Sequence, residues 1–511
     1  MCDHPCPLFR LFRQVARAIS RVAGVVTFAC TMFANCRAAL PQVVVPPDAD
    51  LAQLVAGSSA GASFILLPGK HYAGDIVPKD GQSFEGQPGA TLSGAVRLGP
   101  FSKSGQFWKA SGPSPLPISH GSCDHGLGAI GDSCLLREDL FIDEIPLKRM
   151  QVIGQLGEGT WYQFRETGEV LLPFDPTGRV VEMSYRSSAF NGAAHDVAIR
   201  HLTIEQYASI AQHGAIEGIS GSAWVVSDNI VRFNSGTGIR TGNAMRAQSN
   251  LVTSNGQLGI GGTGDNLFIE GNMIDGNNTH AFNTSWEAGA TKFWATNDLL
   301  FVRNCVQDNT GHGIWTDTDN RNALIIGNWT INNRGTGIFH EVSGHAIIAD
   351  NLSALNGLPK DSPWASQILI SGSLDTLVWH NLVTVARSYG HGIFIVQEER
   401  PNGSKVISDL PKYDSRGNVI IGNTITFLGS AGVSGFYNSK GDIAALAHAN
   451  RFENNEIIAP KDHTRRFRLG DRSLDLAKAR ELDQEIGSRL LIDRSSSLSE
   501  PVCPAGIGPR S

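Results

Sequence analysis

Charge is scarce in this chain. Asp, Glu, Lys and Arg make up 18 % of its 511 residues, and the net charge is −6. An average globular protein carries about a quarter. Such a composition excludes a polybasic nucleic-acid binder and a solvated acidic tail protein. Cysteines are few, 8 in all, and no Cys-x-x-Cys or Cys/His spacing reads as a zinc site. The Leu framework of a leucine-rich repeat is absent. Asn is missing from both ends: of 30 Asn, only Asn35 lies in residues 1–190 and none in 456–511.

The N-terminus reads as an export leader. Arg10, Arg13, Arg17 and Arg21 precede an apolar stretch, Val22 to Ala34, too short to span a bilayer comfortably. Cys36-Arg37-Ala38 offers small residues for cleavage after Ala38. Arg13 and Arg17 are not adjacent, so no twin-arginine signal is expected. The alternative is an N-terminal anchor or surface helix. Cleavage leaves Cys123, Cys134, Cys305 and Cys503. A secreted or periplasmic location follows, with no stable membrane insertion and a Cys123–Cys134 disulfide across a short Gly-rich loop. Cys305 is expected to be a buried small hydrophobe.

What the chain has in excess is Gly, 57 residues, and Asn in its middle. Both tolerate left-handed turn conformations. The Asn preceding an apolar pair recurs at Asn229, Asn250, Asn272, Asn304, Asn328, Asn351, Asn381 and Asn423, with a basic step of 21–24 residues. Five residues later stands a second Asn (Asn234, Asn255, Asn277, Asn309, Asn333, Asn356). Nine residues later stand Gly238-Ile239, Gly259-Ile260, Gly313-Ile314, Gly337-Ile338 and Gly432-Val433. Units that break into runs of four to six residues exclude helical repeats. They predict an all-β fold: a right-handed parallel β-helix, a solenoid with three strands per coil and Asn ladders at its corners.

Flanking segments complete the expected organisation. Residues 39–100 hold an N-terminal cap, with a helix over 48–57, and the first coils. Residues 101–190 lack the repeat and form a β-rich insertion; 191–460 are the β-helix repeats. Residues 461–511 hold a C-terminal helix, spaced over 473–491, and a loose tail from Ser495. A solenoid needs such caps because its open ends are pairing edges.

Counting from the anchors places candidate chemistry on one outward face. Position +10 points inward, so +11 and +13 point outward. The +11 set is Arg240, Gly261, Asn283, Trp315 and Phe339; the +13 set is Gly242, Thr263, Ser285, Asp317 and Glu341. Asp317 and Glu341 thus become neighbours on successive coils, about 4.8 Å apart along the sheet. Like charges stacked this way add nothing to a sheet. Trp315 and Phe339 on the same face suggest an exposed sugar platform; the alternative is rings covered by a loop. After the +13 position of the Asn272 unit come Trp286, Glu287 and Lys292, which either wall a cleft or, for the last two, form a surface ion pair. Asp319, His340 and His391 are secondary: a turn residue, an inward-facing ring and a surface ring. No cofactor or metal is required; calcium could sit at the carboxylates, but no residue set calls for it.

The period and the Asn/Gly code resemble the pectate-lyase-like superfamily of parallel β-helix proteins. Gly313-Ile314-Trp315-Thr316-Asp317, followed a coil later by Glu341-Val342-Ser343-Gly344-His345, is similar to the catalytic region of β-helix glycoside hydrolases of the β-xylosidase type. Gly159-Thr160-Trp161-Tyr162 and Gly168-Glu169-Val170-Leu171-Leu172 resemble the β-rich insertion of such enzymes. The resemblance implies Asp317 as nucleophile, Glu341 as acid/base and a carbohydrate polymer or oligosaccharide as partner, with no nucleic acid. The chain departs from that pattern at Gly344-His345, where His-Gly-Pro is expected. A polysaccharide lyase using Lys292 and a non-catalytic carbohydrate-binding or surface-structural β-helix are the alternatives. The Asp-Pro-His element of mannuronan epimerases and the Asn-Thr-Asp element of polygalacturonases are absent.

Overall fold

The computed structural model describes residues 42–357, 362–398, 414–439, 441–493 and 501–510. The leader over 1–38, with its cleavage point and Cys2, Cys6, Cys30 and Cys36, lies outside them. Among the described residues no helix is long and apolar enough to cross a membrane.

Each repeat unit folds as one coil of three short strands. Val225–Ser227, Ile230–Arg232 and Thr237–Thr241 make one such coil. Stacking the coils gives three sheets, called I, II and III in that order. Sheet I runs from Gln42–Val45 to Arg451–Glu453, sheet II from Gly69–Tyr72 to Arg489–Asp493, and sheet III from Phe190–Asn191 to Arg472–Leu474. Pairing within each is parallel and in step with the repeat: Ile230 faces Leu251, and Leu251 faces Met273. One departure is the closing hairpin, where Phe467–Leu469 pairs antiparallel with Arg472–Leu474.

The corners explain the Asn. The residue before each anchor, not the anchor itself, takes the left-handed conformation: Asp228, Ser249, Gly271, Arg303 and Asp350 all have φ between 52° and 63°. That frees each Asn side chain to bond to its equivalent one coil on. Asn229 Nδ2 donates to Asn250 Oδ1 at 3.1 Å, and the ladder continues through Asn272, Asn304, Asn328, Asn351, Asn381 and Asn423 to Asn455. A parallel ladder runs from Asn234 to Asn356, where Gln367 Oε1 accepts the last bond at 2.9 Å. These amides are buried, so the ladder also satisfies polar groups that would otherwise be costly.

Aliphatic side chains fill the interior. Ile216, Ile239, Ile260, Ile314, Ile338, Ile368 and Ile393 from sheet III are all fully buried. Their column is interrupted by Thr291, which pairs with Ile260. Gly432-Val433 does not continue it: Ser434 Oγ takes the inward place beside Ile393, and Val433 packs on the outer face.

Between the first coils and the repeats, strands from Ala95–Arg97 to Val181–Ser184 form a separate sheet around Leu140, Trp161, Val170, Leu172 and Met183. At the N-terminal end Asp50 caps the helix Leu51–Gly57, accepting from Gln53 N at 3.0 Å.

Two expectations for the C-terminus are corrected. The helix expected over 473–491 is only Leu476–Arg480, and Arg489–Asp493 is a strand paired with Glu456–Pro460. An open sheet edge outcompetes helical spacing, and Gly487 at φ 72° breaks the chain between them. The tail is not loose where it is described. Cys503 is bonded to Cys305, so Cys305 is not a lone buried thiol. Gly508 N donates to Gly271 O at 3.1 Å, and Arg510 reaches Asp228 and Ser249. The tail therefore crosses several coils.

Candidate functional site

The outward face of sheet III gathers the candidate residues, with one shift of register. Trp315 pairs with Phe339 and Asp317 with Glu341, so the two carboxylates stand directly opposite each other on adjacent strands. On the coil before them the residue opposite Asp317 is Trp294, not Ser285, and the strand residue below Trp315 is Lys292, not Asn283. The insertion in the Asn272 unit precedes its strand instead of following it. It holds the short helix Thr284–Glu287, capped by Asn283. It is also tied to the Cys123–Cys134 loop: Asp124 N donates to Ala281 O and Asn283 N to Ser122 O, both at 2.8 Å. Counting from Asn272 could not register that detour.

The shift brings Lys292 to the carboxylates. Its Nζ lies 3.0 Å from Asp317 Oδ2, donates to Trp286 O at 2.7 Å, and sits 3.9 Å from the centre of the Trp315 ring. Thr318 Oγ1 donates to Asp317 Oδ1 at 3.0 Å. Glu341 is buried, and its Oε2 accepts from Trp315 Nε1 at 3.0 Å. One carboxyl group therefore faces an ammonium and the other an indole N–H. The expected ion pair between Glu287 and Lys292 does not form: Glu287 is buried and accepts from Gln212 Nε2 at 2.6 Å.

Trp315 and Phe339 are not an exposed platform. They stack at 5.4 Å between centroids, with 3 % and 2 % of their surface exposed. Leu369, Phe394 and Val396 extend the cluster, and Trp364, Val433 and Tyr437 pack over it. Their burial is a structural reason for the apolar stripe. It also leaves Glu341 against apolar walls.

The other candidates disperse. Arg240 pairs with Glu217 at 3.6 Å, two coils from Lys292. The Trp286 ring faces Phe282 and His120, and its carbonyl accepts from Lys292. Asp319 pairs with Arg321 at 2.9 Å. His340 faces inward beside Thr316 Oγ1 at 2.8 Å, and burial pushes its pKa down to about 3. His391 is buried against Phe394 instead of lying on the surface.

His312 had no signal beyond preceding a Gly-Ile pair, yet it belongs here. It is 7 % exposed, and its ring contacts Trp315 at 4.8 Å and Phe339 at 5.2 Å. Its Nδ1 accepts from Thr336 N at 3.0 Å. Burial, then the Lys292 charge, lower its pKa to about 4. The ring is thus neutral at pH 7, with its proton on Nε2. A cleft opens beside it, lined also by Asp124, Leu127, Thr284, Arg334 and Trp364; neither Asp317 nor Glu341 lines that cleft.

With this geometry in place, the chain can be set beside known proteins. Residues 214–358 match the family described as right handed beta helix region. No curated protein matches the chain in sequence. The structure of XylC in complex with xylose is similar over 88 % of this chain and 83 % of that one, at 13 % identity and a TM-score of 0.56. The A-module of the Azotobacter vinelandii mannuronan C-5 epimerase is similar over 88 % and 97 %, at 12 % identity and a TM-score of 0.49. A mannuronic acid specific polysaccharide family 6 lyase from human gut microbiota gives 89 % and 92 %, at 11 % identity and a TM-score of 0.41. The fold is the right-handed parallel β-helix that the repeat predicted.

Proposed function

We propose that this protein is a retaining glycoside hydrolase, with Asp317 as nucleophile and Glu341 as acid/base. The observation that carries the reading is the pair itself: two carboxylates directly opposite on neighbouring strands, in unlike surroundings. Strand neighbours about 4.8 Å apart suit the roughly 5–5.5 Å carboxyl separation of retaining enzymes better than the wider inverting one. Lys292 Nζ holds the Asp317 carboxylate in place at 3.0 Å. In the first step Asp317 attacks the anomeric carbon, the bond to the leaving oxygen breaks, and Glu341 gives that oxygen its proton. In the second, Glu341 takes a proton from water, the water attacks the anomeric carbon, and the ester to Asp317 breaks with net retention. No cofactor enters either step.

The neighbour bound to xylose makes pentosides the first substrates to try, and the Arg-rich, apolar N-terminus supports export of the activity. Lys292 as a lyase base fits less well, because its Nζ is already engaged by Asp317 Oδ2 and the Trp286 carbonyl. The test is a panel of aryl glycosides, neutral oligosaccharides and uronate polymers. Asp317→Asn should abolish cleavage of every substrate the wild type cleaves. Glu341→Gln should lose rate chiefly where the leaving group is poor, and azide should rescue Glu341→Ala with retained configuration. Wild-type turnover in Asp317→Asn would overturn the assignment. Unsaturated uronate products would favour the lyase, and binding without cleavage a carbohydrate-binding module.

A further inference from the structure

The cleft beside His312 is built by parts of the chain far apart in sequence. Asp124 and Leu127 come from the loop closed by the Cys123–Cys134 bond, Thr284 from the insertion helix, Arg334 from the next coil and Trp364 from the segment after Asn356. Its polar groups are not used up by the fold. His312 Nδ1 is taken by the Thr336 amide, so Nε2 carries the hydrogen, and that N–H has no acceptor among the described residues. The Arg334 side chain is exposed and also has no partner among the described residues. The cleft therefore presents an N–H donor and a guanidinium that the fold leaves to a ligand or to solvent. The Trp364 ring is held edge-on to Tyr437 at 6.1 Å and offers a fixed aromatic wall.

We infer that this cleft is a second sugar subsite, which takes a remote residue of a neutral glycan whose scissile bond lies at Asp317 and Glu341. The chemistry selects the class. A purely apolar ligand would leave the His312 donor and the Arg334 guanidinium unpaired. The Asp124 carboxylate opposes an anion and the Arg334 guanidinium opposes a cation, so the lining favours a ligand without net charge. A sugar presents hydroxyls that both donate and accept, and an apolar ring face for Trp364. Position sets the length of the glycan. The His312 ring contacts Trp315, whose ring centre is 3.9 Å from Lys292 Nζ, itself 3.0 Å from Asp317 Oδ2, so the cleft adjoins the carboxylate pair, yet neither carboxylate lines it. A sugar bonded at the pair leaves the cleft open, so the subsite takes residues further along the glycan. The cleavage half of this inference rests on the hydrolase reading; the binding half does not.

The two halves separate in one pair of experiments. First, xylose and linear xylo-oligosaccharides of two to six residues are titrated into the intact Asp317→Asn protein while the His312 Nε2–H resonance is followed by NMR. Longer chains should shift it, and xylose and the dimer should not; Arg334→Ala in the same background should weaken the long-chain effect tenfold or more. Second, kcat/KM is measured along the same series for the wild type and Arg334→Ala. The wild type should gain about tenfold from the dimer to the longest chains, and the variant should lose that gain. A His312 shift without cleavage leaves the subsite standing and removes the hydrolase. An unmoved His312 resonance with every chain, tighter binding of a uronate oligomer, or an equal loss in Arg334→Ala at all lengths overturns the subsite.

Discussion

Lys292 Nζ lies 3.0 Å from Asp317 Oδ2, between adjacent strands of sheet III, with side-chain exposures of 10 % and 15 %. At that burial the pair should couple by more than the 1 kcal/mol that caps most exposed ion pairs. A double-mutant cycle with Lys292→Met and Asp317→Asn, read by urea denaturation, should give a coupling of about 1–3 kcal/mol. Additive effects would mean that the contact does not hold in solution.

The Asn ladder should carry much of the stability. Asn304 Oδ1 accepts from Asn272 N and Nδ2, both at 2.9 Å, while its Nδ2 donates to Ile269 O and Asn328 Oδ1. Asn304→Ala strands several buried groups at about 1–3 kcal/mol each. It should cost at least 3 kcal/mol, whereas Lys103→Ala, on the surface of the insertion, should cost under 0.5 kcal/mol. Comparable denaturation midpoints for the two would contradict the ladder.

His340 predicts a pH dependence. Burial lowers its pKa from 6.5 to about 3, so the unfolded chain binds the proton more readily. The contribution of the neutral ring is complete above pH 6.5 and is lost as pH falls from there toward 3. At about 1.4 kcal/mol per pH unit, wild type should lose on the order of 2 kcal/mol at this site between pH 7 and pH 5. His340→Ile, matching Ile370 on the next coil, should retain that amount. His312 acts in the same direction and still operates in the variant. Urea midpoints at the two pH values decide it; parallel losses in both proteins would contradict the burial of a neutral ring.

The Cys305–Cys503 bond closes a loop with a sequence separation of 198. Loop entropy gives such a bond up to about 5 kcal/mol. Cys503→Ser should therefore lower the thermal midpoint measurably and expose the tail to protease. Intact-mass analysis of exported protein should find two disulfides and a start near Ala39. Two free thiols at 305 and 503, or a variant as stable as wild type, would contradict the strap.

The period-based features were legible because a solenoid is nearly one-dimensional. Each coil contacts its neighbours at a constant offset, so Asn229, Asn250 and Asn272 announce their own contacts, and Ile314 its place in the interior. The same counting puts Asp317 opposite Glu341, because no insertion separates Asn304 from Asn328. What only the tertiary structure decided lies where that offset fails. The nine-residue detour after Asn277 moves Lys292 to Asp317 and removes Asn283 and Ser285 from the face. Burial of Trp315 and Phe339 depends on Trp364, which belongs to a different coil. His312 gains its tautomer from the Thr336 amide and its cleft from a disulfide loop more than 170 residues upstream. Cys305 finds Cys503 only because the tail turns back along the coils. A repeat encodes contacts between equivalent positions; contacts made by loops and tails have no equivalent position to be counted from, and they form where packing and unpaired polar groups draw them.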